Sequence, residues 1–267
     1  VAIYHLALVF HIQGKFDEAR KFYHQCLSDS VGMAEYVGTI INLVAALEEQ
    51  MGNEEEARKW IDLDTYPLVY EPNETIAGMS VVEFNNGLYA EVMSSEKYQH
   101  WQEPQSKNWF NARDFNQSTD TPFISKLESI FIERAERVMD QIAEISPVPD
   151  HPGFGRRPKK FRIDMFAAGL KSGGHIGPHV HSGGFMSGNY YVRVPQINDP
   201  ENTERGCVQF GKTLYHGSIG FERKCRTFRP VEGMMLAWPS YLSHSTIPCG
   251  TGQSRMVIGY DVVPVAA

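Results

Sequence analysis

The stretch that most restricts this chain is Gly173–Pro195, GGHIGPHVHSGGFMSGNYYVRVP. It holds His175, His179 and His181, three of the ten histidines of the chain. On extended backbone, side chains two apart leave the same face, so the His179 and His181 rings stand roughly 7 Å apart at the backbone. Two imidazoles aimed one way are two ligands for a tetrahedral or octahedral metal ion. Glycines crowd the near side of the pair, and a β-branched, aromatic strand, Ser187–Val194, follows it. The rest of the chain reads as support for this site.

At 267 residues the chain has room for one large domain, or for a domain with an appendage. A formal charge of −7 speaks against a nucleic-acid partner, which would want a basic surface. No run of 18 apolar residues and no secretory core are visible, so no membrane partner is expected. Cys26, Cys207, Cys225 and Cys249 show neither C-x-x-C spacing nor a dense framework, which points to a reducing compartment. The expected location is cytoplasmic.

Residues 1–62 are helical by pattern. Gly14-Lys-Phe16-Asp-Glu-Ala19 recurs loosely as Gly52-Asn-Glu54-Glu-Glu-Ala57, each between an apolar and an aromatic helix. Glycine supplies the tight turn, and the small alanine lets two helices approach closely. The pair resembles tetratricopeptide repeats with a loop insertion, and further repeats are expected upstream of Val1. Residues 63–160 read as linker and supporting helices. A proline-bearing stretch runs from Asp62 to Thr75, and helices are expected at Val81–Met93 and Pro122–Ile145, the second capped by Asp120 or Thr121. Trp101–Asn116 has no period. Arg156, Arg157, Lys159 and Lys160 read as a solvated surface.

From Phe161 to the end, residues 161–267, the texture is β. Strands are expected at Phe161–Ala167, Gly188–Val194, Cys207–Gly211, Met234–Trp238 and Arg255–Val263, with glycine-rich turns between them. Many short strands of this kind suggest a jelly roll, so the fold class is α+β: helical repeats, then a β core. A third candidate ligand, His244, ends Trp238-Pro239-Ser240-Tyr241-Leu242-Ser243-His244. Arg255 opens a strand in which Arg255, Val257, Gly259 and Asp261 alternate with apolar residues. An arginine pointing into a barrel is costly unless an anion meets it, and a guanidinium suits a bidentate carboxylate. The set suggests a metal site beside a carboxylate pocket.

His179-x-His181, Ser187-Gly188-x-Tyr190-Tyr191, Pro239-Ser240-x-Leu242-x-His244 and Arg255, in that order, resemble the 2-oxoglutarate/Fe(II)-dependent oxygenases, many of which carry tetratricopeptide repeats upstream. The resemblance covers roughly Phe161–Val263. It implies a double-stranded β-helix holding Fe(II), with 2-oxoglutarate and O₂ as cosubstrates. It implies His179, His181 and His244 as metal ligands and catalytic residues. Arg255 and Tyr191 would hold the far carboxylate of 2-oxoglutarate. It further implies a dioxygenase that hydroxylates a C–H bond of a peptide, protein or small molecule, with a protein partner on the repeats.

Three departures stand beside the resemblance. The wider superfamily has His-x-Asp or His-x-Glu where this chain has His181, and a neutral nitrogen in place of an anionic oxygen alters the charge at iron. His175-Ile-Gly-Pro178 resembles the motif of the aspartyl/asparaginyl β-hydroxylases, which would make His175 the ligand and leave His179 to line the cavity. Val257 stands where relatives often have Ser or Thr, and Tyr191 is the candidate for the missing hydroxyl. Glu232 and Asp261 lack the spacing of ligands. Two other functions fit parts of the pattern: a metal-bearing but inactive jelly roll that binds peptide with the repeats, and a three-histidine zinc hydrolase or lyase. Ser182-Gly183-Gly184 is flexible enough to act as a lip over the metal.

Overall fold

The computed structural model describes residues 2–28, 35–95, 99–103, 106–113, 121–145, 151, 157–196, 203–250, 252 and 254–265. Two helical hairpins come first: α1 (Ala2–Ile12) with α2 (Phe16–Ser28), and α3 (Val37–Gln50) with α4 (Glu54–Trp60). Gly14 and Gly52 turn the two hairpins at φ +71° and +79°, a region that side-chain-bearing residues avoid. Ala19 and Ala57 are buried where helices cross. Helix α3 is covered on nearly every side, Ile40 to Leu47 without a break, because it lies between its own repeat and the β core. Its polar residues are paired accordingly. Asn42 Nδ2 donates to Gly38 O and to Tyr241 O, both at 2.7 Å, and buried Glu48 accepts two bonds from Arg20 and one from Asn53.

The proline-bearing stretch is more than a connection. Leu68–Tyr70 forms β1 at the edge of the main sheet. A hairpin of β2 (Thr75–Ile76) and β3 (Met79–Ser80) leads into α5 (Val81–Ser94), whose first turn is capped by Ser80 Oγ accepting from Glu83 N. Strands β4 (Gln99–Glu103) and β5 (Ser106–Arg113) occupy part of the stretch that shows no sequence period. Helix α6 spans Pro122–Ile145, and the Glu91 carboxylate of α5 serves its first turn, accepting from Phe123 N and Ile124 N. Asp120 lies outside the described residues, as does Arg156; Arg157, Lys159 and Lys160 are exposed.

The β core is built from β6 (Phe161–His175), β7 (Met186–Arg193), β8 (Val208–Phe210), β9 (Arg226–Phe228), β10 (Met235–Pro239), β11 (His244–Thr246) and β12 (Arg255–Pro264), with a short α7 (His216–Ile219) before β9. Seven strands pair antiparallel in the order β1-β10-β7-β12-β6-β5-β4, and three more in the order β11-β8-β9. Two antiparallel sheets with the core between them make the jelly roll that the strand pattern suggests.

The period of two divides the large sheet into two faces. Tyr190 and Tyr260 look outward, where Phe84 of α5 packs edge-on against Tyr190 and Phe131 of α6 stacks on Tyr260 at 4.2 Å. Ser187, Asn189, Tyr191, Trp238, Arg255, Val257, Gly259 and Asp261 fall on the other face, which fronts the small sheet. Gly188 lies opposite Tyr260 in the ladder, and a Cβ built on it would come 2.4 Å from the Tyr260 ring and 2.7 Å from Leu236 O. Neither the stacked ring nor the backbone oxygen can retreat cheaply. Gly188→Ala is therefore expected to cost about 1–3 kcal/mol of stability, read from urea unfolding midpoints. An unchanged midpoint would mean that the Tyr260 ring is not pinned there.

Candidate metal centre

His179 precedes β7 on a segment of irregular backbone, and it is joined to β11 by a mutual pair of main-chain bonds. His179 N donates to His244 O at 3.1 Å, and His244 N donates to His179 O at 3.0 Å. Flanking bonds extend the pairing, with His181 N donating to Ser240 O and Thr246 N to Ile176 O, both at 2.9 Å. The consequence is convergence of three imidazoles. Ring centroids lie 4.3 Å apart for His179 and His244, 5.2 Å for His179 and His181, and 4.9 Å for His181 and His244. One ring nitrogen of each falls within 4.8 Å of the others.

Each of the three rings has its Nδ1 engaged on the side away from the cluster. His179 Nδ1 meets Gly177 O at 2.9 Å, His244 Nδ1 meets Leu242 O at 3.2 Å, and His181 Nδ1 meets Asp261 Oδ1 at 2.6 Å. A carbonyl or carboxylate oxygen only accepts, so each Nδ1 carries a proton, and in the neutral ring it is Nε2 that holds the lone pair. That is the tautomer a metal ligand needs, fixed by its outer partner. Burial lowers the His179 pKa to about 4, with the like charge of His181 adding to it, while the Gly177 carbonyl and the Asp261 charge oppose the fall. Burial, then His179 and His181, hold His244 well below its ordinary value. Around the cluster, Trp238 meets the His244 ring edge-on at 4.8 Å, Phe210 stacks on it at 5.8 Å, and Phe166 approaches His181 at 5.7 Å. Gly259 makes room for Phe166, since a Cβ there would lie 2.3 Å from the Phe166 ring.

Arg255 is 3% exposed and faces the same interior. Its guanidinium lies 5.9 Å from the centre of the Tyr191 ring, and its one protein hydrogen bond among the described residues is a long one, 3.4 Å from Nη1 to Gly206 O. No carboxylate among the described residues meets it. Tyr191 lies directly across the ladder from Val257, so its side chain stands beside the strand position where a hydroxyl residue is absent. Among the described residues the buried Tyr191 hydroxyl has no hydrogen bond of good geometry, although the Asn189 side chain is near enough to favour its ionised form. Burial raises its pKa and Arg255 opposes the rise. A buried cation and a buried hydroxyl, both short of partners, form a cradle for an anion.

The structure thus brings together His179, His181 and His244, and sets Arg255 and Tyr191 side by side on the same sheet face. It leaves His175 out: that residue ends β6, opposite Lys107, and its Nδ1 is buried without a partner among the described residues. His175 is not among the three residues whose ring nitrogens converge. Asp261 is not a member of the ligand group, yet it holds His181, and it also accepts from Ser187 Oγ at 2.6 Å. Sequence reasoning set Asp261 aside because it was weighed only as a ligand. The available signal was the alternation that places Asp261 on the face of Arg255, and Ser187 on the face of Tyr191. Ser182 and Gly184 are tied down, Ser182 Oγ to Glu35 O at 2.9 Å and Gly184 against Ser240.

Residues 164–261 match the family model described as "Putative 2OG-Fe(II) oxygenase", and residues 2–26 match a tetratricopeptide-repeat model. The two matches fall in the order helical repeat, then oxygenase segment, and the second lies within the β core. Fe(II) and 2-oxoglutarate are the cofactor and cosubstrate of the matched family, and the three-histidine group suits an iron ion. No curated protein matches the chain significantly. Similar solved structures include a prolyl-4-hydroxylase of Pseudomonas putida, 13% identical over 77% of this chain and 96% of that one, with a TM-score of 0.49. A prolyl hydroxylase of Trichoplax adhaerens in complex with a hypoxia-inducible-factor peptide is 14% identical over 80% and 92%, at 0.47. HygX of Streptomyces hygroscopicus, with nickel and 2-oxoglutarate bound, is 12% identical over 74% and 83%, at 0.46. Among the described residues no helix is long and apolar enough to cross a membrane.

Neutral buried imidazoles make stability depend on pH. His151, stacked on Tyr241 at 4.8 Å, is also lowered to about 4 by burial, and it lies outside the cluster. A histidine with a depressed folded pKa folds in its neutral form, while the unfolded chain takes up the proton near pH 6.5. The contribution of His151 and His179 is therefore intact above about pH 6.5 and lost as pH falls towards 4, and that of His244 is lost in the same direction. The urea midpoint of metal-free protein is expected to be level from about pH 8 to 7 and to fall across that window. His151→Phe should remove part of the fall and leave metal affinity unchanged. A midpoint level down to pH 4 would contradict the burial of these rings.

Proposed function

We propose that the β core is an Fe(II)- and 2-oxoglutarate-dependent dioxygenase that hydroxylates a C–H bond of a peptide, protein or small-molecule substrate. The observation that carries this reading is the joint presence, inside one barrel, of three converging imidazoles and a buried arginine with no carboxylate partner among the described residues. A metal site alone would suit a zinc hydrolase as well. The arginine has no task in a hydrolase, whereas a dicarboxylate cosubstrate needs a cation at its far end.

When bound, the iron supplies redox chemistry that the side chains lack: 2-oxoglutarate, O₂ and R–H become succinate, CO₂ and R–OH. The protein's own tasks are binding, orientation and exclusion of water. His179, His181 and His244 would hold the metal through Nε2, each kept in the right tautomer by its Nδ1 partner. Arg255 would take the far carboxylate of 2-oxoglutarate by charge-assisted bonds, and the Tyr191 hydroxyl would share it. Trp238, Phe210 and Phe166 wall the metal side with apolar rings, which strengthens every polar interaction inside. The repeats are the proposed seat of a protein partner: a cavity of about 740 Å³ lies among α2, α3 and α4, away from the imidazoles, lined by Arg20, Glu48, Asn53 and Lys59.

The test is iron-dependent formation of succinate from 2-oxoglutarate by protein purified without oxygen. Arg255→Ala should raise the KM for 2-oxoglutarate about tenfold to a hundredfold, the loss of charge-assisted bonds to a carboxylate. Tyr191→Phe should raise it only a few-fold. If iron-loaded protein neither binds 2-oxoglutarate nor turns it over, the dioxygenase reading is wrong.

A further inference from the structure

The three imidazoles are not equivalent. Those of His179 and His244 are held in the same way, each by the backbone carbonyl two residues before it, Gly177 O and Leu242 O. Both partners are neutral. His181 alone is held by a charged group, the Asp261 carboxylate, at 2.6 Å. That carboxylate is fixed in turn. Asp261 and Ser187 are direct cross-strand partners on β12 and β7, and Ser187 Oγ donates to the same Oδ1 at 2.6 Å. Ser187 Oγ lies 2.8 Å from Ser240 Oγ, on the turn that leads to His244. Gly184 stands over this turn, and a Cβ there would come 2.4 Å from Ser240 Oγ.

Non-haem Fe(II) oxygenases draw on two histidines and one carboxylate, so the third ligand contributes a negative charge as well as a bond. This chain has a histidine in that role. An imidazole whose Nδ1–H is bound to an ionised carboxylate is a stronger donor at Nε2 than one bound to a backbone carbonyl, because the carboxylate pulls on the proton and leaves electron density on the ring. We propose that Asp261 is a positioning residue that acts through His181, supplying from one shell further out the negative charge that a carboxylate ligand would bring to the metal. His181 and Asp261 together then do the work of one anionic ligand, and Ser187 holds the carboxylate in register. Asp261 does not itself touch the metal. Its Oδ1 lies on the Nδ1 side of the His181 ring, opposite the nitrogen that faces the cluster, and it falls outside the group of converging ligand atoms.

This inference rests on the metal-centre reading above, and the experiment separates the two. Full-length protein is stripped with a chelator and titrated anaerobically with Fe(II), with Mn(II) as a redox-inert control, by calorimetry. Asp261→Asn keeps an oxygen for His181 Nδ1 and removes only the charge; it should weaken metal binding about tenfold to a hundredfold. Ser187→Ala should weaken it less. Adding 2-oxoglutarate to the Fe(II) protein gives a visible charge-transfer absorption, which should move to higher energy in Asp261→Asn because the metal is less electron-rich. In a His181→Asp background the charge already sits at the metal, so Asp261→Asn should there cost nothing or tighten binding.

Parent protein that binds neither metal overturns the metal-centre reading and this inference with it. Parent protein that binds, with Asp261→Asn equal to it in affinity and absorption, overturns the inference alone. An equal loss in both backgrounds would make Asp261 a support of the fold rather than of His181, and also overturns it. Should Asp261→Asn fail to fold, Asp261→Glu, which keeps the charge, must keep the parent absorption, while Ser187→Ala shifts it.

Discussion

The site depends first on two main-chain hydrogen bonds, the mutual pair between His179 and His244. In an antiparallel ladder a residue pair that exchanges both bonds holds its side chains on one face, about 5.5 Å apart at Cα. Imidazoles placed there must meet. Since the bonds are between backbone groups, the convergence does not rely on the rings attracting one another; three partly or wholly buried imidazoles have no reason to do so without an ion. The same pair links the segment between β6 and β7, from the large sheet, to β11 of the small one. The metal centre is thus also a seam between the sheets.

From that seam the register of the large sheet distributes the remaining roles. Arg255, Val257, Gly259 and Asp261 share one face of β12, and Ser187, Asn189 and Tyr191 share the matching face of β7. One end of the strand pair carries Arg255 and Tyr191; the other carries Asp261 and Ser187. A slip of one residue would turn every one of these outward and bring Met256, Ile258 and Tyr260 in. The outward set is large and apolar, and it is covered by α5 and α6, with Phe131 on Tyr260 and Phe84 on Tyr190. Helix packing on the outer face therefore holds the polar residues of the inner face in place.

The legible parts of the chain were those whose signal is local. Two histidines two apart, a glycine at each hairpin turn and an arginine opening an apolar strand each declare themselves within a few residues. What escaped reading depends on partners distant in sequence. Leu68–Tyr70 is three residues near Pro67 and Pro72, too short for a period, and only its pairing with β10 makes it a strand. The first turn of α6 is held by Glu91, 32 residues back from Phe123. Asp261 lacks ligand spacing, and spacing cannot reveal a carboxylate whose contact is with an imidazole 80 positions away.

The helical repeats reach the β core through α3. Val180 lies between His179 and His181 and, by the period of two, turns away from the metal side. It turns towards Gly38 of α3, where an added Cβ would come 3.3 Å from it and 3.4 Å from Tyr241. One turn further along α3, Asn42 donates to Tyr241 O, three residues before His244, and just ahead of the helix Glu35 O accepts from Ser182, next to His181. Helix α3 and its approach thus contact both ligand-bearing segments on the side opposite the imidazoles. Ligand geometry is productive only within about 0.5 Å, and close-packed contacts of this kind transmit shifts rather than absorb them. The repeats accordingly form the back wall of the metal centre. Any occupant that moved α3 would act on the spacing of His179, His181 and His244 through Val180 and Tyr241.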